Sequence, residues 1–589
     1  MASLKRLVAL VLVCALSLVY AAPAYATAYD DHPKLVIILV LDQFRADYLE
    51  RYRADFKARG FNLFLNHGAW FPDCYFDYAN TETAPGHATI GTGAYTDGHG
   101  IGGNLWWDLA RNKKRPVSSV EDERYPLVGM PVGEKTVPGA SPLNLLASTV
   151  GDELRLDTLG QSDVFGVSLK DRAAILPAGA TANGAFWIDP VSGRFITSTY
   201  YMQQLPEWAE AFDDSGRIAQ ARQEAGAMIN TGSFFNDVGP TPAAVSYELD
   251  FARALITGEQ LGKHATPDLL TISISSTDIL GHRVGPDSPE QRAMVDAVDT
   301  NLNDFFDWLD KNIDGGLGNV WIALTADHGI APVPSVAAKL GLNAAGIDMK
   351  KLSDDVNYAL NEKFSPGEKI QYLLPDQTLP YMELNPPAFD RAGINEQEAE
   401  DAVQNILPEA FQDLSKPPDQ TTTQPKQPAP ATAKLPPVPR LIRSFTRLQM
   451  ATSADLPDTE FGRIIAHSYT PNGGWYVMIV AQAFQEPGSS NQTGTTHFTP
   501  YSYDRHVPLA FYGAPFAPGT YRGRVEPVDI AATFASLLGV NQPSASVGQI
   551  LTQALKPASA VVYPKPPVPR ARRRVHHAAT TPEASEKKP

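Results

Sequence analysis

The apolar positions of this chain fall into short continuous runs that end abruptly in polar residues. Leu35 to Leu41 stops at Asp42, Val164 to Leu169 stops at Lys170, Leu269 to Ile274 leads to Asp278, and Val320 to Leu324 leads to Asp327. Continuous rather than alternating hydrophobicity predicts strands covered on both faces, as in a parallel sheet. Helical patterns lie between them. Ser288-Pro289-Glu290-Gln291 reads as a capping box with proline at the first helical position, and Met294, Val298, Leu302, Phe305 and Leu309 follow at helical spacing. The fold class predicted is α/β: a large, mostly parallel sheet sandwiched by helices. Ligands of such sheets gather at the carboxyl ends of the strands, where Asp42, Lys170, Asp278 and Asp327 would stand.

The pattern breaks in three places. Lys5 and Arg6 precede an apolar run from Leu7 to about Val19, followed by Ala24-Tyr25-Ala26. This predicts a secretory signal over residues 1–26, because the run is shorter than the ~20 residues a spanning helix needs. Residues 417–440 contain eight prolines, and the last 34 residues contain seven, with Lys, Gln and Thr that cannot build a core. The expected organisation is a signal over 1–26, a first core part over 27–345, and an inserted cap over 346–480 with a Pro-rich linker at 415–440. The core then resumes over 481–550, and a disordered basic tail covers 551–589. The product is expected to be periplasmic or secreted, with no membrane span after signal cleavage.

The 589 residues carry a formal net charge of −16. That argues against nucleic acid as a partner, since phosphate backbones are bound mainly by Lys and Arg. Phosphate chemistry would need a local positive charge. The two cysteines are Cys14, inside the predicted signal, and Cys74, so the mature chain has one thiol and no internal disulfide.

Candidate metal ligands supply that charge. Asp327-His328-Gly329 stands at a predicted strand-to-loop turn, Asp278 and His282 are four apart and meet over one helical turn, Asp42 closes the first strand, and His497 precedes a further predicted strand. Each alone has an ordinary structural explanation. Together three Asp and three His make two three-ligand sets of the nitrogen/oxygen type that suits zinc, with positions left open for reacting groups. Two such metals can grip the attacking and leaving oxygens of a phosphoryl transfer. A nucleophile is offered by Asn80-Thr81-Glu82-Thr83-Ala84-Pro85-Gly86-His87: Pro85 fits a first helical turn, which puts Thr83 at a helix N-terminus. Thr81 is the rival hydroxyl, two residues farther out.

These motifs resemble the alkaline phosphatase superfamily, in particular the PafA-like bacterial phosphate monoesterases, near the type I phosphodiesterases and nucleotide pyrophosphatases. The resemblance spans Asp42 to about Val540 and includes Val528-Asp529-Ile530, which looks like the last core helix. It implies an alkaline phosphatase-like fold and two Zn2+ per chain. Asp278, His282 and His497 would hold one, and Asp42, Asp327 and His328 the other, with Thr83 as nucleophile and ligand. It also implies that Asn104, 21 residues after Thr83, donates to a phosphoryl oxygen, and that Lys170 and Arg172 correspond to the Lys-x-Arg of the monoesterases. A monoester dianion offers more charge to such donors than a diester does. Sulfatases are excluded because their formylglycine cannot be made from Thr83. The activity expected is hydrolysis of small-molecule phosphate monoesters through a phosphothreonine. The alternatives are a phosphodiesterase or nucleotide pyrophosphatase, and a non-catalytic metal- or phosphate-binding surface protein. His87, His99, His467 and His506 are expected to be structural.

Overall fold

The computed structural model describes residues 32–111, 113–131, 137–226, 231–415, 437–489 and 492–557. The predicted signal, most of the Pro-rich linker and the tail beyond residue 557 lie outside these residues.

Ten strands form one sheet: β1 (Leu35–Leu41), β2 (Ala69–Tyr75), β3 (Leu127–Val128), β4 (Val164–Ser168), β5 (Gly184–Ile188), β6 (Phe195–Ser198), β7 (Asp268–Ile274), β8 (Val320–Thr325), β9 (His506–Tyr512) and β10 (Gly519–Thr520). Their spatial order is β10-β2-β9-β8-β1-β7-β4-β5-β6-β3. The five central strands β8, β1, β7, β4 and β5 run parallel, with Leu35 level with both Val320 and Asp268. Antiparallel β9 and β6 flank them. Every residue of β1, β4, β7 and β8 is buried, as strands need to be when helices cover both faces of the sheet. The four apolar runs are therefore four neighbouring parallel strands, and the polar residues that end them emerge at one edge of the sheet.

The helices that matter for the site are α1 (Thr83–Thr92), α2 (Asp171–Ala178), α3 (Pro242–Gly258), α4 (Ser276–Val284), α5 (Pro289–Asn312), α6 (Met349–Phe364), α7 (Glu396–Leu414) and α8 (Asp529–Leu538). α5 begins at the expected cap, where the Ser288 side chain accepts from the Gln291 N–H. The reciprocal half of the capping box does not form. The Gln291 side chain donates instead to the Thr277 carbonyl at 3.0 Å and so joins α5 to α4.

The described residues between 347 and 481 gather a second apolar cluster of their own around α6 and α7 and the three-stranded antiparallel sheet of Tyr381–Glu383, Tyr476–Ala481 and Leu441–Thr446. This unit is fastened to the loop that follows α1. The Asn472 side chain donates to the Gly100 carbonyl at 2.9 Å, and the Trp107 N–H donates to Glu383 Oε1 at 3.3 Å.

Candidate active site

The carboxyl ends of the parallel strands bring the chemistry together. Asp42 follows β1, Lys170 follows β4, Asp278 sits in the first turn of α4 after β7, and Asp327 and His328 follow β8. Asp42, Asp327 and His328 each offer a ligand atom within 4.8 Å of the others, and so do Asp278, His328 and His497. All five residues are buried. His282 stands one turn beyond Asp278, with Nε2 at 3.1 Å from Asp278 Oδ1 and its ring centre 5.1 Å from that of His497. His328 is thus shared between the two groups, its ring centre 3.9 Å from that of His497.

Two glycines permit this packing. A Cβ on Gly86 would lie 2.2 Å from the Asp327 carbonyl, so α1 can approach the β8 loop only with glycine there. A Cβ on Gly494 would lie 2.2 Å from the His282 carbonyl, where the His497 segment crosses α4.

Whether these residues suit metal ions can be tested on their hydrogen bonds. Asp42 Oδ1, Asp327 Oδ2 and His328 Nε2 are buried and have no hydrogen-bond partner. A buried polar atom without a partner is costly, and a cation satisfies two carboxylate oxygens and an imidazole nitrogen together. The three histidines share a second feature. Nδ1 of His328, His282 and His497 lies against the carbonyl of Gly329 at 2.9 Å, Thr495 at 2.9 Å and Thr81 at 2.6 Å respectively. A carbonyl only accepts, so each Nδ1 carries a proton and each Nε2 is directed into the site, the arrangement of metal-binding histidines. The donor set fits zinc.

The local electrostatics follow from burial and crowded charge. Burial, reinforced by Asp278 and Asp327, raises the Asp42 carboxyl well above its ordinary value. Burial would raise Asp278 as well, but Lys170 and His282 outweigh it and hold it well below. Burial lowers His328, and burial together with the two neighbouring imidazoles lowers His497 well below its usual value, which keeps both rings in the neutral form that binds a metal. Lys170 Nζ lies 2.6 Å from Asp42 Oδ2 and 2.5 Å from Asp278 Oδ2, bridging a carboxylate of each group, and stands 3.5 Å from Thr83 Oγ1.

Thr83 is the first residue of α1, with Glu82 as the preceding cap position. Thr81, the rival hydroxyl, turns to the Thr499 carbonyl at 3.4 Å. Asn104 Oδ1 accepts from the Ala84 N–H and from Arg172 Nε, both at 2.9 Å. Its oxygen is thus held by two donors. Lys170, Arg172, Asn104 and Thr83 therefore belong to one cluster at the N-termini of α1 and α2.

Sequence reasoning gave no role to Gln43 or Glu82 and read His87 as structural. Gln43 has φ 61°, a backbone state uncommon outside glycine. There its N–H reaches Asp327 Oδ1 at 3.0 Å and its Nε2 reaches Asp278 Oδ1 at 2.8 Å, so one residue ties a carboxylate of each group. Glu82 accepts the Asn104 N–H at 2.8 Å, and burial raises its pKa to about 7. His87, expected to be structural, spans the Thr83 carbonyl at 2.8 Å and Ser273 Oγ at 2.7 Å, with Nδ1 also 3.2 Å from Asp327 Oδ2. Their adjacency to Asp42, Thr83 and the helix was the only signal the sequence offered.

Comparison with known proteins agrees with this geometry. Alkaline phosphatase PhoV of Synechococcus elongatus is 32% identical over 558 residues, covering 89% of this chain and 93% of that protein. A protein of Myroides odoratus named a calcium-transporting ATPase is 31% identical over 564 residues, covering 89% and 95%. The crystal structure of wild-type alkaline phosphatase PafA superposes with a TM-score of 0.74 at 29% identity, covering 89% of this chain and 99% of that one. PafA of Elizabethkingia meningoseptica is 32% identical over 560 residues. The family model for type I phosphodiesterase / nucleotide pyrophosphatase matches residues 36–460, and the chain belongs to that family, with alkaline phosphatases among its relatives.

Proposed function

We propose that this chain is an exported phosphoric monoester hydrolase, an alkaline phosphatase that uses two zinc ions and a phosphothreonine intermediate. The observation that carries the reading is the junction of Thr83, Asn104, Lys170 and Arg172, four groups suited to one phosphoryl dianion beside two Asp/His ligand groups. Alkaline phosphatase relatives that match along 89% of the chain support it.

Asp42, Asp327 and His328 would hold one zinc, and Asp278, His282 and His497 the other. When bound, the ions supply Lewis-acid charge for the attacking and the leaving oxygen. The protein's own part is positioning. Thr83 Oγ1 attacks phosphorus from the N-terminal end of α1, where the helix dipole favours a developing anion. The Asn104 amide, the Lys170 ammonium and the Arg172 guanidinium donate to the nonbridging oxygens as charge builds there. Water then attacks the phosphothreonine from the side the alcohol has left. Among the described residues no helix is long and apolar enough to cross a membrane.

The family-model match is the observation that favours the alternative, a phosphodiesterase or nucleotide pyrophosphatase. Initial rates of the zinc-loaded protein on matched aryl mono- and diesters separate the two, and the expected order is monoester first. A faster diester overturns the monoesterase reading. Acid quenching with labelled monoester should place phosphate on Thr83; label on Thr81 would reassign the nucleophile.

A further inference from the structure

Glu248 is a fully buried acid on α3, a helix whose neighbouring positions Ala244, Val245, Leu249 and Ala252 are buried and apolar. A carboxyl in such surroundings is costly unless it is bonded. Its partners are two backbone N–H groups at the ends of neighbouring strands. Oε1 accepts from the Leu169 N–H at 2.9 Å, and the Ser275 N–H donates to the same carboxyl. Oε2 is buried without a hydrogen-bond partner.

Those two N–H groups lie where the sheet comes apart. β4 and β7 are paired up to Ser168 and Ser273, after which β4 leads to Lys170 and Arg172, and β7 leads to α4 with Asp278. Leu169 directly precedes Lys170, and Ser275 directly precedes α4. Beyond the last pair of the ladder a buried N–H must find another acceptor, and Glu248 meets that need on both strand ends at once. The Ser168 hydroxyl makes a second tie: it lies 3.0 Å from the Ser273 carbonyl and from Ser275 Oγ, and accepts the Lys170 N–H at 3.2 Å. From this junction the Lys170 side chain extends until Nζ is 2.5 Å from Asp278 Oδ2 and 3.5 Å from Thr83 Oγ1. The relation between the two strand ends therefore sets where the ammonium stands.

We infer that Glu248 is a positioning residue for phosphoryl transfer: by bonding the Leu169 and Ser275 N–H groups it fixes how the ends of β4 and β7 part, and through them the place of Lys170 beside Asp278 and Thr83. The inference rests on the monoesterase reading above, in which Lys170 donates to the phosphoryl group. The role requires an acceptor rather than a charge. Burial holds the Glu248 carboxyl well above its ordinary value, and a proton bound there has Oε2 to occupy while Oε1 goes on accepting.

Two substitutions separate acceptor from charge. Glu248→Gln keeps the side-chain length and the Oε1 acceptor without the charge, and Glu248→Asp keeps the charge but draws the acceptor back by a methylene. In the zinc-loaded full chain, Glu248→Asp should lower monoester kcat/KM about 10-fold, in the range of lost supporting contacts, and diester kcat/KM much less. Glu248→Gln should keep most of the monoester rate. In a Lys170→Ala background, Glu248→Asp should add nothing. A Gln loss as large as that of Asp, equal Asp losses on both esters, or losses that multiply with Lys170→Ala overturn the inference and leave the monoesterase reading standing. Ser168→Ala removes only a hydroxyl from the same junction and serves if Glu248→Asp does not fold: it should lower the monoester-to-diester ratio, and an unchanged ratio overturns the junction's role. Diesters hydrolysed faster than monoesters by the unaltered protein overturn both readings, a result seen before any variant is made.

Discussion

The sheet carries Asp/His clusters at both ends. At the amino ends of β4 and β7, Asp163, His264 and Asp268 bring ligand atoms within 4.8 Å of one another, as the groups at the carboxyl ends do. Composition does not separate them. Hydrogen bonding does. Asp163 Oδ1 accepts from Asn183 at 2.6 Å, Asp268 Oδ2 accepts from the Gly262 N–H at 2.8 Å, and His264 Nδ1 lies 2.9 Å from both oxygens of Asp268. That cluster closes on itself and pins a loop. At the other end, Asp42 Oδ1, Asp327 Oδ2 and His328 Nε2 are buried without a hydrogen-bond partner. Donor atoms become a site when the fold buries them and declines to satisfy them.

The sharpest way to break this comparison is to exchange the two ends. Asp327→Ala should lower phosphatase kcat/KM on the order of 10^3-fold or more and reduce bound zinc by elemental analysis, and exhaustive chelation of the unaltered protein should do the same. Asp163→Ala should leave turnover and zinc content unchanged. Activity that survives metal removal, or zinc lost from Asp163→Ala, would reverse the assignment.

Within the active end, replacing both Lys170 and Arg172 by Ala should cut monoester kcat/KM by at least ~100-fold, because one preorganised donor is worth about 2.7–4 kcal/mol. Diester rates should fall much less, so the monoester-to-diester ratio is the quantity to measure. A common loss would mean that Lys170, lying between Asp42 and Asp278, acts chiefly by holding the ligand carboxylates.

A smaller effect is expected from Glu82, which touches Asn104 rather than the reacting atoms. Glu82→Ala should lower kcat/KM about 10-fold, in the range of lost supporting contacts, and Glu82→Gln should recover most of it by keeping an acceptor for the Asn104 N–H. In an Asn104→Ala background the Glu82 substitution should add nothing. Multiplying losses would show that Glu82 acts elsewhere.

The smallest effect belongs to the closed cluster. The Asp268 carboxylate, by hydrogen bond and charge, holds the His264 pKa above its ordinary value. A raised folded-state value stabilises the fold fully below the unfolded value of about 6.5, and the gain is lost as pH rises through the folded value. Denaturation of His264→Asn beside the unaltered protein should show a deficit at about pH 6 that shrinks by about pH 8. With His264 partly exposed it should stay below about 1 kcal/mol. A deficit that grew with pH would contradict the ion pair.

How much was legible depended on how local the cause was. Continuous apolar runs sufficed for the parallel strands, because burial on both faces leaves a mark on every residue of β1, β4, β7 and β8. Asp278 and His282 were a legible pair, four apart on one helix and 3.1 Å apart in space. Gln43 was not, since its contacts depend on a left-handed backbone and on carboxylates more than 230 positions away. The capping box was half legible: Ser288 caps as expected, and the burial of Gln291 against Thr277 overrode the rest.

By itself the sequence determined the α/β class and the family resemblance, because strand burial and motif chemistry are written in neighbouring residues. Only the tertiary structure decided that His328 lies between two ligand groups, that Lys170 bridges Asp42 and Asp278, and that one Asp/His cluster bonds to itself while another keeps three buried atoms without a hydrogen bond. Those are distances between segments far apart in the chain. They are set by how the sheet orders its strands and by where a glycine such as Gly86 lets two backbones meet, and no local pattern encodes them.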